Sequence, residues 1–236
     1  MTRKQYLAEP KLMTCVARVL TITHGETTIV RLDRTIFHAQ GGGQKADRGR
    51  IGPANVVHVA HNADNVDHHV ENAAGLEAGA EVTLEVDEGW RWLNAAYHTA
   101  GHLLASVTEA MYPGVKAVSG HQWPGEGRVE FIGDVSTEQI SAKDINVRLA
   151  ADLAANLPVM IVGDPFANRA IKIGGYAPIP CGGIHVSNLG ELASTVVTSI
   201  KGKSERIRIS FDASLTNYRR PSGGRGESSV PRLRDV

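Results

Sequence analysis

Cysteine is nearly absent: the chain has two, Cys15 and Cys181. A disulfide scaffold is thereby excluded, and a reducing compartment, the cytoplasm, is expected. No apolar run approaches the ~20 residues of a membrane span, so no membrane partner is expected. The opening Met1-Thr2-Arg3-Lys4-Gln5 has none of the apolar character of a secretory signal. Charge of one sign is lacking too, with 25 basic and 25 acidic side chains. What remains is ordinary globular material: 236 residues, 42% hydrophobic and 21% charged. That excludes disorder of the whole chain and suffices for one large core or two small ones.

The charge is unevenly spread. Residues 201–236 hold 9 basic and 4 acidic side chains, an excess that points to a polyanion or simply to solubility. Residues 218–236, with Arg219, Arg220, Pro221, Gly223, Gly224, Arg225, Ser228 and Ser229, read as a basic disordered tail.

Up to about residue 88 the pattern is of short strands and turns: 16–23, 27–32, 55–60, 65–70 and 81–86, the last with Val82, Leu84 and Val86 on one face. Strands without intervening helices suggest a small barrel or sandwich. At Asp87 the period becomes helical, over 88–111, and Pro113-Gly114 ends it. A second helix is expected over 141–157, with Ser141 and Asp144 at its start. Strands are expected at 128–131, 159–162, 169–173, 195–200 and 206–211. The fold class is α+β: an N-terminal β-barrel over 1–88 carrying Gly41-Gly42-Gly43-Gln44, then an α+β domain over 89–217 with helices packed on an antiparallel sheet.

The strongest chemical signal is His98-Thr99-Ala100-Gly101-His102. Spacing of four puts both imidazoles on one side of the helix, ~40° apart. They lie opposite the apolar stripe, among small residues (Ala95, Gly101, Ala105) that leave room for an ion and a ligand; Arg91 and Glu109 are farther along that face. Downstream, Cys181 and His185 flank Gly182-Gly183 in a turn. Three imidazoles and a thiolate suit tetrahedral zinc. The glycine triplet is not a phosphate-binding P-loop, because no Gly-Lys-Ser/Thr follows; it is a tight turn or a close backbone approach. His58, His61, His68 and His69 read as surface residues.

HxxxH followed by Cys181-Gly182-Gly183-Ile184-His185 resembles the editing domain of alanyl-tRNA synthetases and their freestanding editing relatives. The likeness extends to Gly41-Gly42-Gly43-Gln44 with Asp47 and Gly49, to Gly190-Glu191, and to Gly202-Lys203 before Arg206-Ile207-Arg208-Ile209. It spans roughly 15–212. It implies zinc-dependent hydrolysis of alanine tRNA mischarged with serine or glycine, with tRNA as partner. Ser119 becomes the candidate sensor of the serine hydroxyl, and Gly120, His121 and Gln44 join it as substrate-binding candidates. Gly41, Gly42, Gly43, Lys201, Lys203, Arg206 and Arg208 become tRNA-contacting candidates. No catalytic residue stands out; His121, Glu109 and Gln44 are each conceivable as general base. Two departures from the family pattern concern specificity: Ile184 replaces a usual threonine, and His38-Ala39 replaces tyrosine-proline after Phe37. Two alternatives stay open, a tRNA- or partner-binding module with structural zinc and a metal-dependent hydrolase of small esters or amides.

Overall fold

The computed structural model describes residues 1–134, 136–203 and 206–216. The segment 218–236, read above as a disordered tail, lies outside the described residues.

The first half is built of strands, with one 3-10 turn at Gln5–Leu7: β1 (Arg3–Lys4), β2 (Thr14–Thr23), β3 (Thr28–Leu32), β4 (Arg34–Thr35), β5 (Gly49–Ile51), β6 (Ala54–Asn62), β7 (Asn65–Val70) and β8 (Glu81–Val86). Six of these pair in the order β2-β3-β7-β6-β5-β8, and β8 pairs back onto β2, closing the ring. Closure leaves no free sheet edge. Period-two alternation does the folding work: in β8 Leu84 and Val86 are buried while Glu81, Thr83 and Glu85 are exposed. Val19, Val30, Leu32, Ile51, Val59, Val66 and Leu84 meet inside.

His68 also points inside, contrary to the surface reading of its cluster, and is fully buried. Both ring nitrogens are engaged, Nε2 with Thr35 Oγ1 at 2.8 Å and Nδ1 with the Val30 carbonyl at 3.0 Å. Alternation along β7 places it on the inner face, and two local partners make that tolerable.

The second half begins with α1 (Glu88–Met111), capped by Asp87, whose carboxylate accepts the Trp90 N–H at 3.0 Å. Then come β9 (Lys116–His121), β10 (Arg128–Ile132), α2 (Ala142–Ala154), β11 (Val159–Val162), β12 (Ala170–Ile173), β13 (Ile179–Pro180), β14 (Leu192–Lys203) and β15 (Arg206–Leu215). Strands pair in the order β14-β15-β10-β9, all antiparallel. Both helices pack on this sheet. Leu103, Leu104, Val107, Phe131, Ile145, Leu149, Ile209 and Phe211 build the core between them. Strand β9 went unread in the sequence because its residues are mostly exposed and show no apolar alternation.

Helix α1 is buried on both sides. Its apolar stripe meets the sheet, as the periodicity implies, but Arg91, Asn94, His98 and Thr99 on other faces are equally inaccessible. The histidine face is not open because the glycine-rich turn and the loop after β13 cover it.

Candidate metal centre

His98 and His102 sit one turn apart on α1, with ring centroids 4.9 Å apart. Cys181 directly follows β13, and its N–H donates to the Arg169 carbonyl at 3.2 Å, so the three-stranded sheet β11-β12-β13 delivers the loop to the helix. One donor atom each from His98, His102, Cys181 and His185 lie within 4.8 Å of one another. Cys181 Sγ is 3.3 Å from His185 Nε2 and 3.6 Å from His98 Nε2. Gly183 permits this approach, because a Cβ there would stand 2.1 Å from the His98 ring. Such a group can hold a metal ion.

The outer contacts of the rings agree with that use. His98 Nδ1 is 2.7 Å from Gln44 Oε1, which also accepts the Ile184 N–H at 2.8 Å. An amide oxygen only accepts, so Nδ1 carries the proton and Nε2 keeps its lone pair toward Cys181. His185 Nδ1 is 3.1 Å from Thr99 Oγ1. Thr99 spends its own proton on the Ala95 carbonyl at 2.8 Å, so here too Nδ1 is the donor and Nε2 is bare. His102 Nδ1 is buried without a partner among the described residues. Burial and neighbouring positive charge hold His98 and His185 well below the usual imidazole range, and burial pushes His102 down to about 4. Neutral imidazoles with outward protons fixed by the surroundings are the form that ligates metal. Burial pushes the Cys181 thiol up, while the Gly183 N–H and Arg169 act in the opposite direction.

Buried charges brace this arrangement. Arg91 and Asp47 form a wholly buried pair at 2.6 Å, and Arg91 also donates to the carbonyls of Pro10 and Ile36. The pair ties α1 to the glycine-rich turn. Arg169 donates to the Leu7 and Cys181 carbonyls and so holds the Cys181 loop. The turn itself is closed by reciprocal bonds between Gly41 and Gln44, with Gly42 and Gly43 at φ +58° and +83°. Positive φ at both central positions is the hairpin turn that glycine favours.

Gln122, which no sequence feature singled out, fills the space beside Gly101. A Cβ on Gly101 would lie 2.5 Å from Gln122 Cγ, and one on Gly43 would meet the Gln122 amide and the Gly120 carbonyl. The room expected next to the histidines is therefore occupied by a buried side chain whose Oε1 has no partner among the described residues. Thr99 was also missed as an orienting residue; its place between the two histidines was the available signal.

The remaining candidates fall elsewhere. Ser119 lies in β9 opposite Glu130 and donates to its carboxylate at 3.3 Å. Ser119, Gly120, His121, Arg128 and Glu130 line a surface cleft of about 300 Å³. His121 Nε2 is 3.4 Å from the Glu126 carboxylate. Arg206 and Arg208 share Glu130, at 3.4 and 2.8 Å. Lys201 is exposed beside Arg208, and Lys203 ends β14. Glu109 is occupied by Lys116 and the Ala117 N–H. Of the residues predicted from sequence, the structure thus gathers His98, His102, Cys181, His185 and Gln44 in one place, with the glycine turn against them.

No protein-family profile matches the chain. Individual relatives do. The chain is 31% identical over 196 residues to the alanyl-tRNA editing protein AlaX-M of Pyrococcus horikoshii, covering 81% of this chain and 88% of that protein. The chain belongs to the alanyl-tRNA editing family. Another family member, AlaX-L of the same organism, is 25% identical over 234 residues, of which this chain spans 58% of the relative's length. An alanine–tRNA ligase from Parafrankia sp. is 32% identical over 219 residues, and the match spans 25% of it.

Seen within the family, the two departures have physical settings here. Ile184 is fully buried in a small apolar cluster with Tyr6 and Ala95, so its side chain packs rather than bonds. His38 is buried edge-on to Tyr6, with its N–H on Asp47 and Nδ1 near the Lys45 carbonyl. Burial and Arg91 push it down to about 3.

Proposed function

We propose that the protein is a freestanding deacylase that hydrolyses alanine tRNA mischarged with serine or glycine, in the cytoplasm, with zinc as its metal. The observation that carries this reading is the four-residue cluster in a chain of the alanyl-tRNA editing family. The donor set, three imidazole nitrogens and a sulfur with two rings held from outside, suits zinc and supports this reading. When bound, zinc supplies a Lewis acid beside the ester. The chain's own residues do the rest. His98, His102, Cys181 and His185 hold the ion, and Gln44 and Thr99 fix which nitrogen faces it. In the reaction, water adds to the ester carbonyl, the bond from the acyl carbon to the tRNA 3′ oxygen breaks, and that oxygen takes a proton to leave free amino acid and a free 3′ hydroxyl. Residues 1–88 supply the turn with Gln44, and 89–217 supply the four ligands. No helix among the described residues is long and apolar enough to cross a membrane.

Selectivity requires that serine be told from alanine by one hydroxyl, which an apolar pocket does poorly. Ser119 is the proposed reader of that hydroxyl. Ser119 lines the cleft together with Glu130, to which its hydroxyl donates, and the neighbouring Gly120 carbonyl abuts Gly43. Gly41, Gly42 and Gly43, with Lys201, Lys203, Arg206 and Arg208, are proposed contacts to tRNA, and Gly120 and His121 to the aminoacyl group. Release of serine, glycine and alanine from the corresponding charged alanine tRNAs tests the reading. Serine and glycine should be released and alanine spared; equal release of all three would refute editing.

A further inference from the structure

Lys45 and Arg48 follow Gln44, whose side chain touches His98. Among the described residues neither has a carboxylate at ion-pair distance. Each lies over an aromatic face instead. The Arg48 guanidinium is 3.9 Å from the centroid of Trp90; the Lys45 ammonium is 4.5 Å from that of Trp123 and 5.8 Å from that of Trp90. Both platforms are anchored. Trp90 Nε1 donates to the Ala46 carbonyl at 2.8 Å. Trp123 is flanked by His121, with ring centroids 4.6 Å apart, and follows Gln122, whose N–H bonds the Gly43 carbonyl at 2.9 Å. Arg206 and Arg208, the basic pair prominent in the sequence, share one carboxylate and so present less free charge.

We propose that Lys45 and Arg48, held in place by Trp123 and Trp90, form the phosphate-contacting face that holds the RNA strand next to the metal centre. The proposal rests on the tRNA reading above. Cations held over rings by cation–π attraction lose less freedom on meeting a phosphodiester than free ones. Contact through phosphates positions the strand without reading its bases, as a site for an invariant end requires. No residue in the row is taken from the ligand set.

The test is a salt titration of binding to uncharged alanine tRNA by the full chain and by Lys45→Gln, Arg48→Gln, Trp90→Leu and Arg206→Gln. Each of the first two should lower the slope of log Kd against log salt by about 0.7–0.9, the value of one phosphate contact. Each should also raise KM for seryl-tRNA more than it lowers kcat. Trp90→Leu removes a platform but no charge, so affinity should fall about two- to fivefold at unchanged slope. Lys45 and Arg48 are on the surface, so their variants keep the test decisive if Trp90→Leu fails to fold. Unchanged slopes in both, with a drop confined to Arg206→Gln, would overturn the proposal and move the strand to the outer sheet face. Altered slopes in a protein that hydrolyses no ester would support the RNA face and refute the deacylase reading. Hydrolysis with unaltered slopes would refute the RNA face alone.

Discussion

Two sets of buried histidines stand in this chain, and they differ in how their nitrogens are spent. His68, inside the N-terminal barrel, gives one nitrogen to Thr35 and the other to the Val30 carbonyl. His98 and His185 each give one nitrogen to a neighbour and turn the other toward Cys181. Burial depresses all of them, so depth and pKa direction do not separate a structural imidazole from a ligand. For His68 against His98 and His185, the engaged nitrogens do: His68 is satisfied on both sides, whereas His98 and His185 are held from outside and left bare toward Cys181.

The comparison breaks first at the sulfur. Cys181→Ala should take bound zinc from about one per chain to none, read by metal analysis of the purified protein. Equal zinc in both proteins would remove Cys181 from the set. Next is the outer hold. Gln44→Ala leaves the four ligands but frees His98 Nδ1, and should weaken zinc about 10- to 100-fold in a chelator competition. Unchanged affinity would make Gln44 a packing residue.

A smaller effect is expected at Ser119. Its exposed contact with Glu130 sets the low end of a hydrogen bond's worth, about 1–1.4 kcal/mol, or roughly five- to tenfold in kcat/KM for the seryl ester. The glycyl ester, with no hydroxyl to lose, should change less. Equal falls would show that Ser119 shapes the cleft and does not read the side chain.

The smallest effect on metal, namely none, belongs to His68→Gln, which should keep full zinc content while losing about 1–3 kcal/mol of stability. Its pH signature follows from burial, which pushes His68 down to about 4. The unfolded chain takes up a proton near pH 6.5 that the folded chain refuses until about pH 4. Stability from this site is therefore whole above pH 6.5, falls between about 6.5 and 4, and is level below. Denaturant midpoints across that window should fall less steeply for His68→Gln. Zinc loss in this variant would erase the distinction between the two sets.

Much of this was legible in the residues, and the exceptions are instructive. The periodicity of 88–111 matches α1 residue for residue, the alternation of 81–86 matches β8, and the strand read at 65–70 matches β7. Strong periods leave little choice of boundary. Strands β5, of three residues, and β9, mostly exposed, offer no pattern to read. The four residues of the candidate metal site were visible by type and spacing: His98 and His102 because a helix puts positions four apart on one side, Cys181 and His185 because they flank Gly182-Gly183 in a turn. Their outer shell was not. The contact of Gln44 with His98 joins positions 54 apart through a turn and a helix, and no local pattern encodes such a meeting. The histidine face of α1 was read as open because a helical wheel counts one apolar stripe. It cannot show a second layer that buries polar side chains by bonding them, as Asp47 does for Arg91. His68 was misread for the same reason: alternation with Val66 and Val70 puts it inside, and its hydrogen bonds, which no hydropathy count shows, make that tolerable.

The central claim is that the His98, His102, Cys181 and His185 cluster is a zinc site required for hydrolysis of mischarged alanine tRNA. The most direct measurement follows release of serine from seryl-tRNA by the purified protein, then by protein stripped with chelator, then after zinc is restored, with bound metal quantified at each stage. The account predicts release that is lost with the metal and regained in proportion to zinc bound, up to one ion per chain. Undiminished release from a protein shown to hold no metal would contradict it.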